Sequence, residues 1–130
     1  MKSAYVKTAY VNVSDSDKTS TTKIVSLSDG DLFRLFHVEF QLADPDVYSS
    51  CGLVLCNRNS SDAAYQFYKD QIYSSYIDDA ASPEPTYFLK PMRIGSHGVQ
   101  TKCTGDGIYF TGLGVGVNFV SISYQVGSQA

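Results

Sequence analysis

A chain of 130 residues with 43% hydrophobic content is long enough to bury one core without disulfide or metal support, and a single domain is expected over residues 1–130. Ten Lys and Arg stand against 13 Asp and Glu, for a formal net charge of −3, and no segment concentrates the cations that phosphate contacts require, so direct nucleic-acid binding is not expected. The N-terminus carries no apolar stretch of signal-peptide length, which predicts no export by the usual route, and no apolar run reaches the roughly 18 residues of a membrane-spanning helix.

Residues 5–13 alternate like a strand at or near a surface, and 14–20, rich in Ser, Asp and Thr, read as a loop. A second strand occupies 21–28 and closes at the turn signal Asp29-Gly30-Asp31. The clearest strand is 32–42, where Phe36, Val38, Phe40 and Leu42 face one way and His37, Glu39 and Gln41 the other; Asp44-Pro45-Asp46 stops it. Leu53-Val54-Leu55, flanked by Cys51 and Cys56, reads as a buried strand. Ser61 then offers a cap, and across 62–76 the residues Ala64, Tyr68, Ile72 and Tyr76 recur every fourth position beside Phe67, which predicts one amphipathic helix in a mid-chain connection.

Residues 78–85 form a connection stiffened by Pro83 and Pro85. Strand pieces at 87–89 and 92–94 are interrupted by Pro91, whose missing amide proton marks an edge or a bend. His97 sits in the turn Gly95-Ser96-His97-Gly98, residues 99–103 give a short strand, and Thr104-Gly105-Asp106-Gly107 turns the chain into a final pair of strands. Glycine alternates with Leu and Val over 112–117 and strips one face of side chains, the mark of a bulge or of a close backbone approach. Leu113, Val115, Val117 and Phe119 hold odd positions, then Val120, Ile122, Tyr124 and Val126 hold even ones. The buried face therefore switches near Phe119-Val120, which predicts a bulge or a strand covered on both faces.

Few residues suggest chemistry. Cys51, Cys56 and Cys103 are odd in number, which excludes a complete internal disulfide framework and favours free thiols. His37 and His97 stand in no CxxC or HxxxH unit with them, so neither a zinc site nor a Cys–His nucleophile is expected; the chain reads as no enzyme, with no catalytic residues and no cofactor. Three Asp-x-Asp pairs, Asp15/Asp17, Asp29/Asp31 and Asp44/Asp46, supply hard oxygen ligands of the kind calcium takes, although turn formation accounts for them without a metal. Tyr65, Phe67, Tyr68, Tyr73, Tyr76, Tyr87 and Tyr109 belong to types enriched in sugar platforms and protein interfaces; with no Trp to stack on sugar, the interface is preferred, core packing being the equal alternative. The interface candidates are Tyr5, Tyr10, Tyr65, Tyr68, Tyr73, Tyr76, Val115, Val117 and Phe119.

Many short strands at fairly regular spacing, with one helix, predict a mainly β antiparallel sandwich of jelly-roll type, while an immunoglobulin-like order stays open. With candidate strands at 21–28, 32–42, 52–56, 86–94, 99–103, 108–110 and 115–126, the order of segments resembles the single jelly-roll proteins that build small viral capsids, pentons and decoration layers. The resemblance spans most of the chain. It implies a structural virion protein, made in the host cytoplasm, a homo-oligomer that contacts copies of itself and other virion proteins through its two ends and the Tyr-rich helix. The alternative is a β-sandwich carbohydrate-binding module that recognises its ligand through the Asp-bearing loops, with or without calcium.

Overall fold

Period-two alternation of apolar and polar side chains sets the local structure of this chain, because a half-buried strand shows one face to the core and one to water. The computed structural model describes residues 6–12, 21–42, 51–72, 88–93, 98–113 and 117–127. Among them nine strands form: β1 (Lys7–Asn12), β2 (Thr22–Ser26), β3 (Leu32–Leu42), β4 (Cys51–Cys56), β5 (Gln66–Ile72), β6 (Phe88–Arg93), β7 (Val99–Lys102), β8 (Gly107–Leu113) and β9 (Val117–Gly127). One sheet runs β1-β9-β3-β6 with β7 also paired to β3; the other runs β2-β8-β4-β5. Every pairing is antiparallel.

Strands β6 and β7 take successive parts of β3, residues 37–42 and 32–35, and so share one strand position. That leaves four positions in each sheet. With β6 and β7 counted as that one shared position, the chain changes sheet at every connection except the β4–β5 hairpin. This is jelly-roll connectivity; an immunoglobulin-like sandwich pairs more than one couple of consecutive strands within a sheet. Asn12, Leu42, Phe88 and Val117 gather at one end of the first sheet, and Cys51, Ile72 and Leu113 at one end of the second, three residues linking Leu113 to Val117. Connections 27–31, 57–65 and 103–106 close the opposite end, where backbone bonds tie them together: the Leu27 amide donates to Asp106, Gly30 to Cys103, Cys103 to Asp31 and Thr104 to Asn57, at 2.8–3.0 Å.

The core lies between the sheets. Phe33, Leu35, Val38, Phe40, Val117, Val120, Ile122, Tyr124 and Val126 meet Ile24, Val25, Leu53, Leu55, Ile108 and Phe110. Phe33 spans the gap, stacked on Tyr124 at 5.3 Å between ring centroids and edge-on to Phe67 at 5.7 Å. Two register shifts set which side chains enter. Between Leu35 and His37 the shift makes Phe36 an extra residue, so Phe33 and Leu35 point inward before it and Val38 and Phe40 after it; half-buried Phe36 is not the core position that alternation alone predicts. Opposite Gln41 and Leu42 the second shift makes Asn118 the extra residue in β9, and this is the expected switch from Val117 to Val120.

Two expectations are corrected. The helix predicted over 62–76 is replaced, through residue 72, by a single 3-10 turn, Ala63–Tyr65, and strand β5. A spacing of four is also a multiple of two, so Ala64, Tyr68 and Ile72 fit one strand face as well as one helix face, and aromatic content favours the strand. Tyr73 and Tyr76 lie outside the described residues. Strand β6 runs through Pro91 unbroken because it is an edge, where a missing amide proton costs no ladder bond. No helix among the described residues is long and apolar enough to cross a membrane.

On the outer side of the second sheet, Thr111 is buried opposite Val54, and its Oγ1 has no hydrogen-bond partner among the described residues. Thr111→Val keeps the shape, removes the orphaned hydroxyl and suits a strand, so it is expected to raise the unfolding free energy by roughly 1 kcal/mol in urea melts.

Candidate interaction surface

Residues directly opposite in neighbouring strands share a face, so the registers write out the exposed side of the first sheet row by row. Thr8, Ser123 and His37 form one row, Tyr10, Ser121 and Glu39 the next, Asn12, Phe119 and Gln41 a third, and Gln125 lies beside Arg34 and Gln100. None of these side chains is buried, and all but Tyr10 and Phe119 are hydroxyls, amides, charged groups or the His37 imidazole. His37 Nε2 lies 3.1 Å from Glu39 Oε1, both side chains about a third exposed. With the Gln100 amide turned so that its oxygen faces Arg34, the guanidinium donates to it. The face is mainly polar, with many donors and acceptors and the aromatic rings of Tyr10 and Phe119 among them.

Sheet edges are the other places where a β protein meets a partner, because an edge strand leaves a row of backbone groups unpaired. Most edges here carry a device against this. Strand β2 has five residues and a register shift between Lys23 and Val25. Strand β5 has a shift opposite Leu55 and Cys56 and carries the buried Asp70, which accepts from the Tyr68 hydroxyl at 3.4 Å. Strand β6 contains Pro91, and β7 has only four residues. Strand β1 has none of these: its register runs unbroken from Lys7 to Asn12, its one charge is at its start, and Tyr10 is 67% exposed, with Val6 just before it at 56%.

The closed end of the sandwich is internally satisfied. Arg58 donates from Nε to Thr104 Oγ1 at 3.1 Å, from a terminal nitrogen to the Thr104 carbonyl at 2.8 Å and from the other to the Tyr65 hydroxyl at 3.2 Å, with its guanidinium 4.2 Å from the Tyr65 ring centre. Asn57 donates to Thr101 and accepts from Thr104, each at 3.0 Å. Asp106 accepts from Lys23 at 2.8 Å and Tyr109 at 2.7 Å. The Lys23 hydrogen bond, then that of Tyr109, holds the Asp106 carboxyl below its ordinary range, while Asp106 raises both partners. Between this end and β1 an open groove of about 430 Å³ is lined by Lys7, Ser26, Ser28, Asp31 and Tyr124 with apolar neighbours.

The candidates from sequence separate on this frame. Tyr10 and half-buried Phe119 lie on the outer face of the first sheet. Tyr65 is engaged with Arg58, and Tyr68 packs half-buried against the core, its hydroxyl held well above the ordinary range by burial and then by Asp70. Val117 is corrected from interface to core: pairing with Leu42 turns it inward at 3% exposure. Asp31 serves its own turn, accepting from the Ser28 amide at 3.0 Å, and Asp29 is exposed beside it. No group of three potential metal ligands occurs among the described residues. Tyr5, Tyr87, Val115, His97, Asp15, Asp17, Asp44 and Asp46 lie outside the described residues. Sequence reasoning missed the paired rows from β1, β9 and β3, whose residues are remote in the chain, and it missed the open edge, which only the register exposes.

Cys56 and Cys103 are free and buried. Burial, and then Asp62, push the Cys56 thiol up to about 11 from 9.0. At pH 8.5 the native thiolate fraction is thus lower by about two orders of magnitude than in the unfolded chain, and iodoacetamide is expected to label Cys56 at least about 100-fold more slowly in the native protein than in urea, followed by peptide mass. The sign follows: the fold holds the proton that the unfolded chain releases, so this site's contribution to stability falls as pH rises from about 9 to about 11.

No protein-family model matches the chain, and no characterised protein matches it in sequence.

Proposed function

We propose that this chain is a structural virion subunit, a small capsid, penton or decoration protein, that works by contact with copies of itself and with other virion proteins. The observation that carries the reading is β1, the one strand edge among the described residues without a bulge, proline, buried charge or marked shortness to discourage pairing. Jelly-roll connectivity supports it, since this architecture serves capsid subunits, although the same architecture also serves lectins. The polar face beside β1 adds hydrogen-bonding groups suited to a wet protein interface. Light scattering on the native chain is expected to show a large, discrete assembly. A monomer at high concentration, absent from any particle, would overturn the proposal.

A second reading rests on the same face. Rows of hydroxyls and amides around exposed Tyr10 suit a carbohydrate, whose hydroxyls need paired donors and acceptors and whose ring packs on an aromatic. A glycan that raises the melting temperature of the monomer, with the rise lost in Tyr10→Ala, would favour this module; no shift across a glycan panel, with and without calcium, would remove it.

A further inference from the structure

We infer that β1 pairs with β1 of a second copy, antiparallel about a two-fold axis through Tyr10, so that the first sheets of two subunits join into one continuous sheet. The inference rests on the assembly reading above and names the surface through which it acts.

Three features of β1 point to a second copy as the occupant. Its outward residues are Thr8, Tyr10 and Asn12, and its inward residues are Ala9 and Val11, as their partners in β9 require. Two strands can pair only if residues placed opposite one another share a face, which restricts a two-fold pairing of β1 with itself to centres on a residue. Centred on Tyr10, the pairing sets Tyr10 against Tyr10, Thr8 against Asn12 and Ala9 against Val11: aromatic meets aromatic, polar meets polar, and small meets branched apolar. Centred on Ala9, it sets the Lys7 side chain against Val11 inside the strand, whereas the Tyr10 register leaves Lys7 outside the paired residues 8–12, which favours the Tyr10 register. β1 contains no acid and a single base, so the Tyr10-centred pair opposes no like charges and needs no partner of opposite charge.

The joined sheet runs β6-β3-β9-β1 and then the same order reversed in the second copy, antiparallel throughout. Five paired residues in each strand, about 17 Å long, bury far less than the roughly 1,600 Å² of a standard interface, so this pairing is one contact of an assembly held by several. The isolated pair is accordingly weak and short-lived, and it is best captured covalently.

Disulfide trapping in the full chain reads the register directly, with Cys51 replaced by Ser and Cys56 and Cys103 buried. Tyr10 and Thr8 are both exposed, so substitution leaves the core intact, which thermal melts verify. Under mild oxidation, Tyr10→Cys is expected to yield covalent dimer at least tenfold faster than Thr8→Cys, because residue 10 faces its own copy and residue 8 does not. An equimolar mixture of Thr8→Cys and Asn12→Cys chains is expected to give the heterodimer. If the protein assembles but Tyr10→Cys cross-links no faster than Thr8→Cys, the β1 pairing is wrong and the assembly reading stands. If the chain is monomeric at high concentration and none of the variants cross-links, both fall.

Discussion

Phe33→Ala is expected to lower the unfolding free energy by roughly 3–5 kcal/mol, read from urea melts with unchanged slope. Phe33 is almost completely buried, stacks on Tyr124 within its own sheet and meets Phe67 edge-on from the other, so its removal opens a cavity between layers that neither sheet can close alone. Flanking residues in the register, Val126 and Thr101, are held by β9 and β7 and cannot collapse into the space without breaking their ladders. Against a typical total of about 5–15 kcal/mol, the loss takes roughly a fifth or more of the stability. Tyr10→Ala is the matching control. With the Tyr10 side chain 67% exposed, this substitution is expected to cost under about 0.5 kcal/mol in the monomer. Equal destabilisation by the two substitutions would mean that Phe33 does not bridge the sheets.

Much of this fold is legible in the order of residues, and the failures have physical causes. Strand β3 is readable because its polar and apolar residues alternate after residue 36, but the extra residue Phe36 is invisible until β9 supplies the partner that slips past it. The face switch in β9 is readable because Val117 and Val120 differ in parity, whereas the burial of Val117 is not, since it depends on Leu42, 75 positions earlier. Strand β5 was hidden by arithmetic: a period of four satisfies both strand and helix. Of the candidate surface, Tyr10 was identified from its residue type alone. Its neighbours Ser121 and Glu39 come from segments that sequence gives no reason to join, and the difference between a guarded and an open edge lies in registers that a single strand does not encode.

The division of labour between faces follows from the same registers. Inward residues of both sheets decide whether the sandwich exists, while outward residues of β1, β9 and β3 leave the core untouched. Variants of His37, Glu39, Ser121 and Ser123 therefore separate binding from stability in a way that core variants cannot.

Gly107→Ala is expected to destabilise the protein by roughly 2–4 kcal/mol, the second largest effect of a single substitution proposed for this chain. A β-carbon at this position would overlap the Val25 carbonyl oxygen and come 3.3 Å from the Ser26 Cα. Both neighbours are backbone, held in the β2–β8 ladder by the pairs Val25–Ile108 and Ser26–Gly107, and no rotamer change can relieve the overlap. The sequence places the close backbone approach over 112–117 and Gly107 in a turn, whereas the approach lies at Gly107 itself; Gly112 pairs in register with Leu53, and 114–116 lie outside the described residues. Gly30 provides the comparison that isolates the cause. Its φ of +93° is a conformation that L residues disfavour, yet nothing lies within 4 Å of a β-carbon placed there, so Gly30→Ala is expected to cost only about 1–2 kcal/mol of backbone strain. If Gly30→Ala proves the more damaging, conformation rather than close approach governs this end of the sandwich. If Gly107→Ala does, the close approach of β2 to β8, and not backbone conformation, sets the requirement for glycine at this end.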